Sequence, residues 1–150
     1  MTWHLLMKNN LDLENFFPYQ FSILAQQMSE YIAQIYRHEY GLSRFEWRAL
    51  AAIAQQEQIT AKDIMQITRL DKMQVSRAIA KLSDNGYVIQ SANKIDRRSS
   101  TLSLSKSGLS LYRQIVPKVL EQEKALLENL TPELQKHFIE ATKVLNDKLR

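Results

Sequence analysis

Two helix-start signals lie close together and restrict the fold more than any other feature of this sequence. Thr60 precedes Asp63, and Asp71 precedes Gln74, each by three positions. An N-cap side chain followed at the third position by a residue that can bond back to it forms a capping box, so each pair predicts the start of a helix. Three residues separate the end of the first helix from the second cap. Residues 60–85 therefore have the dimensions of a helix-turn-helix, although the turn contains no Gly.

A β-hairpin is predicted directly after these two helices. Gly86 ends the second helix, and the strand-forming residues 87–89 follow it. A polar, basic stretch then leads into the alternating apolar and polar residues 101–105. A helix-turn-helix followed by such a hairpin is a winged helix.

The rest of the chain is predicted to be helical. The sequence contains only 3 Gly and 3 Pro, which argues against a loop-rich or all-β protein. Apolar residues recur every three or four positions near both ends of the chain. We therefore expect one mainly α domain, 1–150, with a small β-hairpin. It comprises a winged-helix lobe, 43–105, and terminal helices in 11–40 and 106–150.

The positive charge of the chain is concentrated in its middle third. The net charge is +4, yet residues 60–106 alone hold nine Lys and Arg against four acidic residues. The remaining residues hold eleven basic and twelve acidic side chains. A basic centre between nearly neutral ends is typical of a protein that binds a polyanion, and double-stranded DNA is the expected partner.

The second helix of the predicted helix-turn-helix has an outer face suited to DNA. At about 100° per residue, its apolar residues share one side and face the core. The outer side carries Arg, Gln, Lys, Ser, Met and Ala, which can contact base edges, phosphates or thymine methyl groups. Residues 72–83 contain no acid, whereas an ordinary surface helix carries Glu–Lys pairs. The alternative is a solvated face without a partner.

The hairpin tip is the second predicted DNA contact. Consecutive arginines on a loop can enter a narrow minor groove, and Asp96 is placed to brace Arg98. A solvated basic turn is the alternative. The predicted DNA-binding residues of the whole chain are Thr60, Lys62, Lys72, Met73, Gln74, Ser76, Arg77, Lys81, Asp96, Arg97 and Arg98.

The composition argues against an enzyme. There is no Cys, the three His residues lie far apart, and no Gly-rich phosphate loop is present. We predict no catalytic residue, no metal site and no cofactor. No run of about 18 apolar residues and no leader-like apolar segment occur, so a cytoplasmic protein that does not enter a membrane is expected.

In its order of motifs the chain resembles the MarR family of bacterial transcriptional regulators. The resemblance rests on GLSRFEWRALAAI (41–53), AKDI (61–64), DKMQVSRAIAKLSDNGYV (71–88) and DRRSSTLSLSKSG (96–108). It implies a homodimer formed by the helices in 11–40 and 106–150, bound to a palindromic operator, usually as a repressor. It also implies release by a small aromatic acid or phenol. The segment DKMQVSRA further resembles members that control aromatic-acid catabolism.

Arg48 is the main candidate for effector binding. It is the one charged residue in an otherwise apolar stretch, WRALAAIA, so burial requires that it have a partner. The partner is either an internal acid, Glu30, Glu39 or Glu46, or the carboxylate of a ligand. The resemblance places effectors between the first helices and the winged domain. The predicted effector-binding residues are Tyr19, Ser22, Ser29 and Arg48.

A different class of function is also compatible with the predicted fold. Some winged helices serve only as protein–protein interaction modules and bind no DNA. The concentration of charge in residues 60–106 is not required for that role. Measuring DNA affinity at several salt concentrations distinguishes a DNA-binding protein from an interaction module, because the affinity of a DNA-binding protein falls steeply as the salt concentration rises.

Overall fold

The computed structural model describes residues 10–92, 95 and 100–150 of the chain. After a short 3-10 helix, Leu13–Asn15, come six α-helices and three strands. The helices are α1 Phe17–His38, α2 Arg44–Ile53, α3 Ala61–Thr68, α4 Lys72–Asp84, α5 Lys106–Leu127 and α6 Pro132–Lys148. The strands are β1 Ile59–Thr60, β2 Val88–Ala92 and β3 Ser100–Leu104. The predicted class, mainly α with a small β-hairpin, is confirmed.

The sheet has one more strand than the sequence predicts. Strands β2 and β3 form the expected antiparallel hairpin, with Val88 opposite Leu104 and Ala92 opposite Ser100. The additional strand, β1, pairs with the other side of β3 and gives the order β1-β3-β2. With only two residues, β1 is too short to show the alternation that marks a strand in sequence.

Capping boxes start α3 and α4, as the sequence predicts, and a third, formed by Ser43 and Glu46, starts α2. At α3, the backbone N–H of Asp63 donates to the Thr60 hydroxyl (3.2 Å) and the N–H of Thr60 donates to the Asp63 carboxylate (3.1 Å). At α4, the N–H of Gln74 donates to Asp71 (2.7 Å) and the N–H of Asp71 donates to Gln74 Oε1 (3.1 Å). These bonds satisfy backbone donors that have no partner within a helix.

The core lies in the winged-helix lobe. Helix α2 contributes side chains that are completely buried, and the four residues of α4 predicted to face inward are all buried. The sheet closes the core from another side through Ile59 and Leu102, which face each other across β1 and β3. The residues involved are Ala49, Leu50, Ile53, Val75, Ala78, Ile79 and Leu82. Because α2 and α4 pack against each other, a displacement of one is transmitted to the other.

The terminal helices join this core through aromatic contacts. Tyr36 of α1 stacks on Trp47 of α2 with ring centroids 5.5 Å apart, and Trp47 stacks on Tyr112 of α5 at 6.1 Å. Helix α6 reaches α1 through Phe138 and Phe21, at 6.4 Å, but none of its residues is buried. Within the described part of the chain, no helix has the length and apolar character required to cross a membrane.

The hairpin of β2 and β3 is the wing of the winged helix. Backbone atoms on either side of it pack closely against the start of α5. The N–H of Ser105 donates to the carbonyl of Tyr87 (3.0 Å), and the Ser105 hydroxyl caps α5 by accepting from the N–H of Gly108 (3.0 Å). A Cβ on Gly108 would lie 2.0 Å from that Tyr87 carbonyl oxygen. Only glycine allows the helix to start this close to the wing.

We expect Gly108→Ala to lower the free energy of unfolding by about 3 kcal/mol, because the methyl group would force the wing and α5 apart. Gly41→Ala is the control. Gly41 has a positive φ of 67° but open space around its Cβ position, so that variant should lose only about 1 kcal/mol. Urea unfolding of both variants measures the difference. Equal losses would show that the contact with Tyr87 relaxes at little cost.

The capping box of α3 predicts a specific acid response. Hydrogen bonds from the Thr60 hydroxyl and the Thr60 backbone N–H lower the pKa of Asp63 below the ordinary value of an aspartate side chain. A carboxyl with a depressed folded-state pKa contributes stability above its unfolded pKa and loses it as the pH falls through the folded value. Below about pH 4, wild type should therefore lose stability more steeply than Asp63→Asn.

Thr60→Val provides the matched control, because it removes one donor and leaves the carboxyl in place. The stability that Thr60→Val loses at low pH should lie between the losses of wild type and Asp63→Asn. The measurement is the urea midpoint from about pH 6 to pH 2. Parallel profiles for all three proteins would rule out this role of the Asp63 carboxylate.

Candidate nucleic-acid interface

Helix α4 carries six of the residues that the sequence assigns to DNA, and it presents five of them to solvent. Met73 is 61% exposed, and the side chains along the same face are also exposed. No carboxylate among residues 10–92, 95 and 100–150 lies within 4.0 Å of a basic group of this helix. The exposed residues of this face are Lys72, Met73, Ser76, Arg77, Ala80 and Lys81. We call this set the α4 face, and it is cationic and free of acidic side chains.

The α4 face continues across a shallow groove to the wing. The groove has a volume of about 300 Å³ and runs between α4, the start of α3 and the two strands of the hairpin. Lys72 and Ser76 line it from α4, Ala61 and Met65 from α3, and Gln90 and Ser100 from the strands. Lys62, in the first turn of α3, is also exposed. The fold therefore brings three separate segments of the chain to one surface.

Two of the predicted DNA-binding residues also hold the starts of helices. Gln74 is half-buried, and its Oε1 accepts the N–H of Asp71. The Thr60 hydroxyl donates to the Asp63 carboxylate at 2.7 Å while it accepts the N–H of the same residue. A paired contact from Gln74 to adenine would therefore reuse an oxygen that already accepts one bond. Within the described part of the chain, the side chain of Arg77 caps no helix and forms no salt bridge.

The predicted wing contacts Asp96, Arg97 and Arg98 lie outside the described residues. The paired strands on either side of them, Val88–Ala92 and Ser100–Leu104, are described and form a regular ladder.

Two of the four predicted effector-binding residues come together between α1 and α2. Arg48 Nη2 donates to the hydroxyl of Ser29 at 3.3 Å, and both line a depression of about 230 Å³. Its other walls are Met28, Ile32, Tyr36 and Trp47. We call this depression the Arg48 pocket. It combines one guanidinium and one hydroxyl with an apolar and aromatic wall.

The internal acids considered as partners for Arg48 are engaged elsewhere. Glu30 pairs with Arg37 at 3.1 Å, Glu39 pairs with Lys118, and Glu46 accepts the backbone N–H of Ser43 at 3.1 Å. None of the three forms a salt bridge with Arg48, so the interpretation of Arg48 as half of an internal ion pair with them is wrong. The partners of Glu30 and Glu46 lie seven and three positions away in the chain, and the partner of Glu39 lies on the facing helix α5.

The other two predicted effector residues lie elsewhere on α1. Tyr19 lines a separate depression of about 490 Å³ with Glu14, Gln20, Ile23, Leu24 and Gln27. Ser22 is exposed and lines neither depression. The hydroxyls of Tyr19, Ser22 and Ser29 therefore do not share one pocket.

The apolar wall of the Arg48 pocket was not predicted from the sequence. Met28, Ile32 and Tyr36 follow one another at intervals of four along α1, which places them on one face of that helix. Trp47 is adjacent to Arg48 in the chain. Burial raises the pKa of Tyr36, while the positive charge of Arg48 acts in the opposite direction. The phenol of Tyr36 is thus neutral at physiological pH.

Comparisons with known proteins agree with this geometry. A MarR family model matches residues 40–99. The uncharacterized HTH-type transcriptional regulator YwoH of Bacillus subtilis is 28% identical over 99 residues, which cover 66% of this chain and 72% of that protein.

Two solved structures are similar over nearly the whole chain. Sco3205 of Streptomyces coelicolor, a MarR family transcriptional regulator in complex with DNA, has a TM-score of 0.81 at 20% identity and covers 95% of this chain and 91% of its own. BpsR of Bordetella bronchiseptica, whose DNA binding is regulated by 6-hydroxynicotinic acid, has a TM-score of 0.82 at 17% identity, with coverages of 93% and 99%. At these identities the likeness shows the fold.

The matching segment, 40–99, includes α2, the helix-turn-helix and the first strand of the wing. The family and the matched relative are transcriptional regulators and not enzymes. Residues 40–99 are therefore similar to the MarR family, and over nearly its whole length the chain shares the fold of the two winged-helix structures.

Proposed function

We propose that this protein is a homodimeric, sequence-specific DNA-binding repressor that small aromatic acids or phenols release from DNA. The observation that carries the DNA-binding proposal is the α4 face. An exposed helix surface with cationic, apolar and small side chains and no acid suits the major groove. The similar structure of Sco3205 contains DNA, which supports this assignment.

In this proposal α4 is the recognition helix. Arg77 reads base edges, and Lys72, Lys81 and Lys62 contact phosphates beside the groove. Met73 and Ser76 provide close apolar and polar contacts. Thr60 and Gln74 act mainly by holding the helix starts. Arg97 and Arg98 are proposed to contact the minor groove from the wing, with Asp96 bracing Arg98.

The terminal helices are proposed to form the dimer. Helix α6 has no buried residue, although large apolar side chains point away from the chain along its length. Helix α1 likewise exposes Phe17, Ile23 and Leu24. A second copy of the chain would remove these faces from water, and its twofold symmetry would match a palindromic operator. The apolar residues exposed on α6 and directly after it are Leu134, Ile139, Val144, Leu145 and Leu149.

The Arg48 pocket is the proposed effector site. A planar ring fits against Tyr36 and Trp47, and a carboxylate can accept two parallel bonds from the Arg48 guanidinium with a third from Ser29. Helix α2, which carries Arg48, packs against α4, so a ligand that displaces α2 also displaces the recognition helix. BpsR, which responds to an aromatic acid, supports this ligand class. Tyr19 and Ser22 take no part in this site.

A role in controlling aromatic-acid catabolism from the cytoplasm agrees with such a ligand. The motif DKMQVSRA at residues 71–78 supports that role.

Arg77→Ala tests direct reading of bases by α4. Binding to the DNA upstream of the protein's own gene is compared with binding to a random duplex of equal length. We expect the free-energy difference between the two duplexes to shrink by about 1–3 kcal/mol, because one guanidinium–base contact is lost. Wild-type affinity should fall steeply as salt rises.

Arg113→Ala is the matched control, because it removes an exposed arginine from α5 and leaves the α4 face intact. It should preserve the preference for the specific duplex. An equal effect of Arg77→Ala on both duplexes would contradict direct readout. Salt-insensitive or absent binding of the wild type would favour a protein-interaction module instead.

Arg48→Ala tests the effector site. Aromatic carboxylates are screened for release of wild-type protein from DNA, and the most effective one is titrated against the variant. We expect release to require at least about tenfold more ligand, because a charge-assisted contact is lost, while DNA affinity and Tm stay close to wild type. Arg48→Lys keeps the charge but not the two parallel donors. The ligand concentration that releases it should lie between the values for wild type and Arg48→Ala. Unchanged release by Arg48→Ala would exclude this pocket, and loss of folding would indicate a structural role.

A further inference from the structure

Two arginines from distant parts of the chain line one small depression. Arg69 lies in the turn between α3 and α4, and Arg150 lies beyond the end of α6. With Asn146 and Leu149 they enclose about 270 Å³. The end of a terminal helix therefore meets the helix-turn-helix at its turn.

Among the described residues, no carboxylate holds either arginine of this depression firmly. Arg150 is 3.8 Å from Asp147, and both side chains are mostly exposed, so this pair is weak. Arg69 forms no salt bridge with a carboxylate in the described part of the chain. The guanidinium of Arg69 therefore remains available to an anion, and that of Arg150 lines the same depression.

The backbone at Arg69 is in a conformation that favours glycine. Its φ is 60°, and it is the only residue other than glycine with a positive φ among those described. Its N–H donates to the carbonyl of Met65 (2.9 Å), which closes α3 with a left-handed cap. Glycine would close the same turn without steric cost, so the arginine occupies a strained position. Strained residues of this kind cluster at binding sites.

We propose that Arg69 and Arg150 together bind a phosphate group, and that in the DNA complex this is a backbone phosphate beside the recognition helix. This inference rests on the proposed DNA-binding function. Arg69 is two residues before Asp71, the N-cap of α4, so at most about 7 Å of backbone separates it from the helix start. Phosphates flank the groove that receives the start of a recognition helix.

The site would make α6 part of the DNA-binding surface. Because α6 is also a proposed dimer helix, the position of the dimer interface would set the distance between Arg150 and Arg69. Phosphate binding at this point would therefore depend on the geometry of the dimer.

Arg69→Gly tests this proposal, because it should stabilise the fold while weakening the binding of DNA phosphate. The Tm should rise by about 2–4 °C, because strain is removed. On a plot of log affinity against log salt, the slope should become shallower by about 0.9 for the lost phosphate contact. The change in slope should be the same on the upstream duplex and on a random duplex, because a phosphate contact reads no sequence.

Two matched variants separate charge from backbone strain. Arg69→Lys keeps both the charge and the strained backbone, so its salt slope and Tm should stay near wild type. Arg150→Gln should make the slope shallower without raising the Tm. A wild-type slope for both Arg69→Gly and Arg150→Gln would overturn the DNA assignment.

Inorganic phosphate provides the second arm and distinguishes a free anion from DNA. At constant ionic strength, phosphate should raise the Tm of wild type more than that of Arg69→Gly. If the variants lose this response but keep the salt slope, the site takes free phosphate and the DNA assignment is wrong. If they lose neither, the proposal fails altogether. If the wild type binds no duplex, the proposed function fails, and the phosphate response alone decides whether the anion site exists.

Discussion

Reciprocal hydrogen bonds at the starts of α3 and α4 are the constraint on which the rest of this structure depends. Each capping box fixes where a helix begins, and only three residues remain for the turn between them. With both starts fixed, the inward side of α4 packs on α2 and its outward side becomes the α4 face. The wing then attaches through β1 on one side and the start of α5 on the other. A loss of either cap would change the position of every proposed DNA contact.

The proposed effector site and the proposed DNA surface are connected by one short helix. Helix α2 carries Trp47, which stacks between α1 and α5, and Arg48, which lines the pocket. The same helix contributes Leu50 and Ile53 to the core beneath α4. Close packing makes such a core resist compression, so a shift of α2 is passed on as a shift of α4. A response to a ligand therefore needs no contact between the ligand and the DNA surface.

Much of the proposed DNA surface could be predicted from sequence, because it depends on local rules. The two capping boxes and the inward residues of α4 depend on neighbours three or four positions apart, and the structure has them as predicted. The partner of Arg48 could not be found in this way. Glu39 forms an ion pair with Lys118, which is 79 residues away in the chain. Which basic residue pairs with Glu39 therefore depends on the packing of α1 against α5. The grouping of Tyr19 with Ser29 failed for a similar reason, since only packing decides which turns of α1 are covered.

The sequence by itself determined where the helices start and which side of α4 is polar, because hydrogen bonds and periodicity within one turn of chain decide both. Only the tertiary structure decided that Ile59 pairs with Leu102, that Ser29 reaches Arg48, and that Arg69 shares a depression with Arg150. These pairs join residues 19 to 81 positions apart. Their formation depends on how whole helices and strands pack around a common core, and no local pattern of residues records that arrangement.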